Sequence, residues 1–222
     1  MDYPGFLKRK QAVVAPTKSP LNLILFGYLH VDITELRTDE GKQYLFVAID
    51  RTTKYIYIEL YQRMTQNNAV LFLRNLQKDC VFKITHILTD NGIQFTYNLL
   101  AKHLRPKDGY PHPFDELCQA LGVEHRTTQF RHPWTNGQVE ITNKIIKEAA
   151  TKRFHYESFE QLKGHLITFM LYYNHQRKLK SLKFKTPWEL IQQCYNSDKQ
   201  SFRENINHKI VRLNMRPLHK YE

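Results

Sequence analysis

Three strand-like runs separated by short turns lie between Tyr28 and Tyr61, and they constrain the fold of this 222-residue chain most strongly. Residues 28–36 alternate apolar and polar side chains, which is the pattern of a strand with one buried face. Residues 44–49 are continuously apolar, as is typical of a central strand buried on both faces. Residues 55–61 alternate again. Because the connecting turns are short, we expect an antiparallel meander of three strands.

After the third strand the apolar period becomes helical. Residues 69–76 carry apolar side chains at helical spacing, and Asn67 or Asn68 is expected to be the N-cap of this helix. A short apolar run, residues 87–89, then ends at Asp90 and an Asn-Gly turn. The order strand, helix, strand predicts a crossover connection, which places the last of these strands parallel to a neighbour.

The remaining patterns predict more helices than strands. We expect helices over residues 96–103, 114–121, 137–154 and 159–173, a loop over 105–113 and a further strand over 123–128. Thr186 followed by Pro187 predicts the capped start of a last short helix. The resulting domain organisation is a basic N-terminal arm over residues 1–27, a core with a helical extension over 28–195 and a basic tail over 196–222.

The charge balance predicts a polyanionic partner. The chain has 33 Lys and Arg against 21 Asp and Glu, a net charge of +12, which favours nucleic acid over a membrane surface. Cys80, Cys118 and Cys194 lie far apart in sequence, so neither a disulfide framework nor a structural zinc site is expected. No apolar run approaches transmembrane length. We therefore expect a cytoplasmic protein.

Three acidic residues occupy positions from which their side chains could meet. Asp32 lies on the polar face of the first strand, Asp90 ends the strand after the crossover, and Glu140 opens a predicted helix. Catalytic groups collect at strand ends in open α/β sheets, and clustered carboxylates repel one another unless a cation binds them. Mg²⁺ or Mn²⁺ would suit such oxygen ligands, and two ions could act on a phosphodiester. The alternative for Asp90 is a side chain that only closes the Asn-Gly turn.

Short motifs along the chain resemble a known family. They are HVDI (30–33), YLFVAIDR (44–51), LTDNG (88–92), GVEH (122–125), HPWTNGQVE (132–140), YN (173–174) and TP (186–187). In order and identity they resemble the catalytic core of DDE insertion-sequence transposases and retroviral-type integrases, the rve family, over about residues 28–190. This resemblance implies an α/β, ribonuclease H-like fold with a mixed five-stranded sheet flanked by helices.

The same resemblance implies a metal-dependent DNA transposase or integrase core. Such enzymes cleave DNA phosphodiesters and join the 3′-hydroxyl end to target DNA by transesterification. It implies that Asp32, Asp90 and Glu140 are the catalytic acids that bind Mg²⁺ or Mn²⁺, that element ends and target DNA are the partners, and that a homodimer or larger oligomer forms on DNA. Two alternatives stay open: a ribonuclease H-like nuclease without strand transfer, and a truncated or degenerate DNA-binding remnant.

Further polar and basic residues are candidates for DNA contact. They are Asn91, Gln94, Trp134, Asn136, Asn143, Lys144, Lys147, Arg177 and Lys178. Lys144 and Lys147 share a helical face with Glu140 and could neutralise phosphates, although such a face is also common on solvated helices. Asn91 and Gln94 could equally cap the turn after Asp90, and Trp134 could belong to the core.

The chain departs from the family pattern in two places. Full-length relatives carry a helix-turn-helix before the core, whereas here a basic arm of about 27 residues precedes Tyr28. The family usually has a basic residue directly after the helical glutamate, and this chain has Ile141. The first departure bears on recognition of element ends, and the second bears on contact with DNA near the acids.

Overall fold

The computed structural model describes residues 26–106, 110–128, 137–150 and 154–206. Its strands are β1 (Tyr28–Thr38), β2 (Gly41–Asp50), β3 (Ile56–Tyr61), β4 (His86–Thr89) and β5 (Glu124–Thr127). Its helices are α1 (Gln66–Asp79), α2 (Pro113–Ala120), α3 (Gly137–Ala150), α4 (Phe159–His175) and α5 (Pro187–Ser197). Over these described ranges, no helix has both the length and the apolar character needed to span a membrane.

The five strands form one mixed sheet with the order β3-β2-β1-β4-β5. β2 pairs antiparallel with β1 and with β3, whereas β4 is parallel to both β1 and β5. The meander arises because only short turns join β1, β2 and β3, and α1 provides the longer crossover that a parallel strand requires. The predicted five-stranded sheet, antiparallel in its first three strands and parallel beyond them, is confirmed.

Hydrophobic clusters cover both faces of the sheet. Leu29 and Val31 of β1 belong to a cluster that includes side chains of α1, α2 and α5. Leu36 of β1 belongs to the other cluster, whose helical side chains come from α3 and α4. Because side chains alternate along a strand, Asp32 lies on the same face as Leu36, which is the α3–α4 face.

A buried asparagine joins α4 to the beginning of β3. The Asn174 side chain donates a hydrogen bond from Nδ2 to the Ile56 carbonyl at 2.8 Å and accepts one at Oδ1 from the Ile56 amide at 3.0 Å. Both groups are buried, so each satisfies polar atoms that water cannot reach. This pair of bonds holds the C-terminal end of α4 against the sheet at the level of Ile56.

The N-cap predicted for α1 was wrong. The capping side chain is Thr65, whose hydroxyl oxygen accepts from the Asn68 amide at 3.1 Å, so the helix begins earlier than Asn67 or Asn68 would allow. Asn68 instead donates from its side chain to the Arg63 carbonyl at 2.7 Å. Both Thr and Asn are favourable N-cap residues, so the apolar spacing alone could not show which of the neighbouring residues caps this helix.

The helix predicted over residues 96–103 is also wrong. This segment forms turns and bends, followed by a short 3₁₀ segment over Lys102–Leu104. The guanidinium of Arg105 donates to the carbonyls of Asn98 and Leu100, both at 2.8 Å, which takes acceptors that a regular helix would use for its own amides. Farther along the chain, α3 is described over Gly137–Ala150; of the predicted extension to 154, residues 151–153 lie outside the described residues and residue 154 is not helical.

The start of α5 agrees with the prediction. Thr186 and Glu189 form a capping box, with the Thr186 hydroxyl accepting from the Glu189 amide and the Glu189 carboxylate accepting from the Thr186 amide. Beyond α5, Phe202 and Ile206 join the cluster that packs on α1, α2 and α5. The packed core therefore continues past the end of α5. Cys80, Cys118 and Cys194 are all buried, and they form no disulfide with one another.

Candidate active site

The register of β1 against β4 brings two of the candidate acids to the same level of the sheet. His30 pairs with Leu88 in this parallel ladder, and Asp32 and Asp90 each lie two residues farther on. In a parallel pair, residues at one level face the same side of the sheet, so both carboxylates face the α3–α4 side. Asp90 directly follows the last residue of β4. The β1–β4 register, together with the effect of the Asp90 charge on the pKa of Asp32, therefore places the two acids close together.

Asp32 is held by two hydrogen bonds. Its Oδ1 accepts from the Ile33 amide at 2.9 Å, and its Oδ2 accepts from Nδ2 of Asn143 on α3 at 2.7 Å. Burial raises the pKa of Asp32 from 3.8 to about 6, and the negative charges of Asp90 and Glu140 act in the same direction. The two hydrogen bonds oppose that rise because they stabilise the carboxylate. Asp32 is thus within electrostatic reach of both other acids.

Asp90 takes part in the turn that ends β4. Its Oδ1 accepts from the Gly92 amide at 3.0 Å, and the Thr89 hydroxyl donates to the Asp90 carbonyl at 2.8 Å. A Cβ on Gly92 would lie 2.1 Å from Nε2 of the buried Gln94, so only glycine fits here without moving that side chain. The turn-closing role considered for Asp90 is therefore real, and it leaves Oδ2 of the same carboxylate without a role in the turn.

Glu140 lies in the first turn of α3 and is exposed to solvent. Val139 and Ile146 on the same helix are buried in the cluster that packs against β2, which fixes the helix on the sheet. Even so, within the described ranges no three Asp, Glu, His or Cys side chains form a group that could hold a metal ion. The structure brings Asp32 and Asp90 together and keeps Glu140 near, but the three acids do not form a closed chelate.

The predicted DNA-contact residues have different environments. Asn91 donates from its side chain to the Thr128 carbonyl at 2.7 Å, and Gln94 is buried beside Gly92. Asn143 is buried on Asp32, so it positions that acid. Of the candidates on α3 and after α4, Lys144 and Lys178 are exposed, whereas Lys147 and Arg177 are partly buried. The Arg177 guanidinium lies 5.7 Å from the Tyr173 ring centroid. Trp134 and Asn136 lie outside the described residues.

Two histidines near the acids have hydrogen-bonding environments that the sequence did not specify. His30, on the same face as Asp32, is buried with neither ring nitrogen hydrogen-bonded within the described part of the chain. Burial lowers the pKa of His30 to about 4, and the charges of Arg51 and Lys54 add to the effect, so the ring is neutral near pH 7. Its position two residues before Asp32 was the only sequence signal available, and that signal gives no information about burial.

The second histidine, His125 of β5, connects the turn at Asp90 to α2. Its Nε2 hydrogen-bonds the Thr89 hydroxyl at 2.9 Å, and its Nδ1 bonds the Asp115 carboxylate. The Thr89 hydroxyl also donates to the Asp90 carbonyl. Hydrogen bonds that run from Asp115 through His125 to Thr89 therefore support the turn at Asp90. No local sequence pattern could have paired residues so far apart.

The architecture is that of retroviral integrase catalytic cores. The catalytic core domain of BIV integrase matches with a TM-score of 0.58 at 18% identity, covering 78% of this chain and 99% of that one. The catalytic core domain of HTLV-2 integrase, in complex with magnesium in a trimeric form, matches with a TM-score of 0.54 at 21% identity, covering 73% of this chain and 93% of that one. At these identities the likeness establishes the fold, which is ribonuclease H-like.

The family follows from sequence comparison. Two models described as integrase core domain match the chain, one over residues 26–133 and the other over residues 121–187. The chain belongs to this integrase core family. A protein of Spiroplasma virus SpV1-C74 named as integrase ORF3 is 28% identical over 162 residues, which is 68% of this chain and 42% of that protein. The chain thus spans less than half the length of this relative.

Proposed function

We propose that this chain is the catalytic core of a DNA transposase or integrase. In this proposal it cleaves DNA phosphodiesters and joins the resulting 3′-hydroxyl ends to target DNA by transesterification, using Asp32, Asp90 and Glu140. Membership of the integrase core family supports the reaction class. The net charge of +12 supports a nucleic acid as the substrate. In a bacterial cell, the enzyme would act in the cytoplasm on the nucleoid.

The observation that carries the proposal is the electrostatic environment of Asp32. Its pKa is raised to about 6 by burial, with Asp90 and Glu140 adding negative charge, so the site is unfavourable for carboxylates on their own. A cation bound between them would remove this penalty, and oxygen donors suit Mg²⁺ or Mn²⁺. One or two such ions would supply charge neutralisation and Lewis acidity for the phosphodiester oxygens.

The protein's own groups would prepare the site before any ion binds. Asn143 holds Asp32 through a 2.7 Å hydrogen bond, and the Gly92 amide holds one oxygen of Asp90. Glu140 is exposed on the first turn of α3, where a side chain can change rotamer to approach the other acids. Lys144, exposed one helical turn beyond Glu140, would contact the DNA phosphates.

An oligomer on DNA is part of the proposal. Joining two DNA ends in concert requires at least two active sites, and one chain supplies a single set of the three acids. The HTLV-2 core that matches this fold is in a trimeric form, which shows that this architecture can assemble from several copies. We therefore infer a homodimer or larger assembly on the element ends.

A strand-transfer assay tests the proposed reaction. The purified chain is incubated with a labelled DNA end carrying a free 3′-hydroxyl, a target plasmid and Mg²⁺ or Mn²⁺, and joined products are separated on a gel. Joined product from the wild type and none from Glu140→Gln is the expected result. Cleaved product without joined product would indicate a nuclease, and activity that survives Glu140→Gln would refute the assignment of the site.

A further inference from the structure

The turn between α4 and α5 concentrates positive charge around one exposed aromatic ring. This turn, residues 177–185, is called the basic turn below; it contains no acidic residue. Its five cations are Arg177, Lys178, Lys180, Lys183 and Lys185. Phe184 lies among them with 66% of its surface exposed. Lys178, Lys180 and Lys183 are exposed, whereas the Arg177 guanidinium lies over the Tyr173 ring and the Lys185 ammonium donates to Gln193. An isolated exposed apolar residue is ordinary, but a large exposed ring close in sequence to three exposed cations has the composition of a surface that binds single-stranded nucleic acid.

The basic turn has a defined shape. The Leu179 amide donates to the Lys185 carbonyl at 3.0 Å, and the Phe184 amide donates to the Leu179 carbonyl at 2.9 Å, which closes the turn on itself. Leu182 is buried and anchors the turn to the body of the domain. The ring of Phe184 therefore projects from a backbone held at several points, which lowers the entropy lost when the ring binds a partner.

The backbone at the tip is unfavourable for the residues that occupy it. Lys183 and Phe184 both have left-handed conformations, with φ of 54° and 60°. L-residues with a Cβ rarely adopt this region, and glycine or asparagine is the usual choice. Folding alone would favour glycine at position 184, because the ring is exposed and gains little from packing. A bulky residue kept in such a conformation is a reason to look for a function.

We propose that Phe184 stacks on an unpaired DNA base while the cations of the basic turn hold the flanking phosphates. Stacking accepts any base because every base has a flat face, and lysines beside the ring can follow the backbone without reading sequence. A closed duplex hides those faces, so the occupant is single-stranded DNA or a frayed end. Protein interface cores are depleted of lysine, so the dense cations favour DNA over a protein partner. This inference rests on the proposed function for its choice of DNA.

The basic turn begins at the edge of the sheet formed by β3. Asn174 ties the end of α4 to Ile56, which pairs with Ile49, and Ile49 pairs with His30, two residues before Asp32. The basic turn starts three residues beyond Asn174 and joins α4, whose side chains pack on the Asp32 face, to α5, whose side chains pack on the opposite face. DNA bound there would therefore lie at the β3 edge, with β2 between that strand and β1.

Phe184→Gly is the central test, because glycine suits the left-handed backbone and removes only the ring. Binding of a fluorescein-labelled oligothymidylate and of a blunt duplex of equal length is measured by anisotropy in EDTA, so neither metal nor catalysis is needed. Phe154→Ala is the matched control: Phe154 is 54% exposed and lies near Tyr156, whose carbonyl accepts from the Asp39 amide at the opposite end of the sheet. Phe184→Trp keeps a ring, and Lys180→Ala removes one charge.

The expected result is a selective loss. Phe184→Gly should weaken binding of the oligothymidylate by roughly 5- to 150-fold, the range for one stacked base, and should leave duplex binding unchanged without lowering the melting temperature. Phe184→Trp should restore binding and show tryptophan quenching by the oligothymidylate. Lys180→Ala should weaken both DNAs alike and reduce the salt dependence, and Phe154→Ala should have no effect.

Two results would overturn the inference. One is equal affinity of Phe184→Gly and the wild type for the oligothymidylate. The other is a change in oligomeric state in Phe184→Gly, measured by analytical ultracentrifugation, with DNA binding unaffected, since the ring would then serve a protein contact. If the wild type binds neither DNA, the proposed function fails as well. If strand transfer fails while selective binding persists, only the proposed function fails.

Discussion

Replacing Asp32 by asparagine should stabilise the folded domain at neutral to basic pH. A pKa raised from 3.8 to about 6 means that the charged carboxylate destabilises the folded state by about 3 kcal/mol once it is fully ionised. Asparagine removes that charge and can still accept from the Ile33 amide. Its new amide faces Asn143, whose buried Oδ1 has no hydrogen-bond partner within the described residues and is free to accept. Allowing about 1–2 kcal/mol for imperfect rearrangement, we expect a net gain of about 1–2 kcal/mol near pH 8.

The pH dependence of this gain identifies its cause. Because the folded-state pKa lies above the unfolded one, the stability contributed by protonated Asp32 is present below about pH 4 and is lost as the pH rises through about 6. The advantage of Asp32→Asn should therefore disappear near pH 4, where the variant should be less stable than the wild type by about 0.5–1.5 kcal/mol because only the cost of rearrangement remains. Urea denaturation at several pH values measures both free energies of unfolding.

The matched control for this experiment is Glu35→Gln. Glu35 is an acid of the same strand, and its pKa is lowered by the hydrogen bond from Lys42. Its neutralisation should give no gain in stability at basic pH. If Asp32→Asn is no more stable than the wild type near pH 8, or if its gain in stability is the same at every pH, then the charge of Asp32 does not destabilise the folded state.

Three further changes test other parts of the structure. Asn174→Ala leaves the Ile56 amide and carbonyl buried and unsatisfied and should cost about 2–4 kcal/mol of unfolding free energy in urea; an unchanged midpoint would contradict this. Gly27→Ala places a Cβ 2.3 Å from the Lys83 carbonyl oxygen at a φ of +88° and should lower the melting temperature, as calorimetry would show. Asn143→Ala removes a hydrogen bond that lowers the pKa of Asp32, so the acid limb of the pH–activity profile should move to higher pH. If the limb does not move, a group other than Asp32 sets it.

Local periodicity was sufficient to predict the three-stranded meander. Alternation in β1 and β3 and the apolar run in β2 each report which faces a strand buries, and such patterns extend over several residues. The helix wrongly predicted over residues 96–103 has a different explanation, because the Arg105 guanidinium donates to carbonyls in that segment. Such competition depends on the three-dimensional path of the chain, and no periodicity records it.

The candidate site could be predicted only in part. The resemblance in motif order predicts Asp32, Asp90 and Glu140 as the acids of the site, and the parallel register of β1 and β4 explains why the first two are close. Glu140 is exposed in the first turn of α3, so its side-chain position is not fixed by packing, and local patterns give no information about it. The burial of His30 and the pairing of His125 with Thr89 arise from packing between distant segments, so local patterns could not reveal them.

The ladder between β1 and β4 also limits how this domain can change length during evolution. Inserting or deleting one residue between His86 and Asp90 would turn the carboxylate to the opposite face of the sheet, because successive side chains alternate. Length changes should therefore accumulate in connections such as that between Leu104 and Pro113, while these few strand positions keep a constant count. In this domain, the alignment of Asp32 and Asp90 therefore tolerates no change of even one residue in the length of these strands.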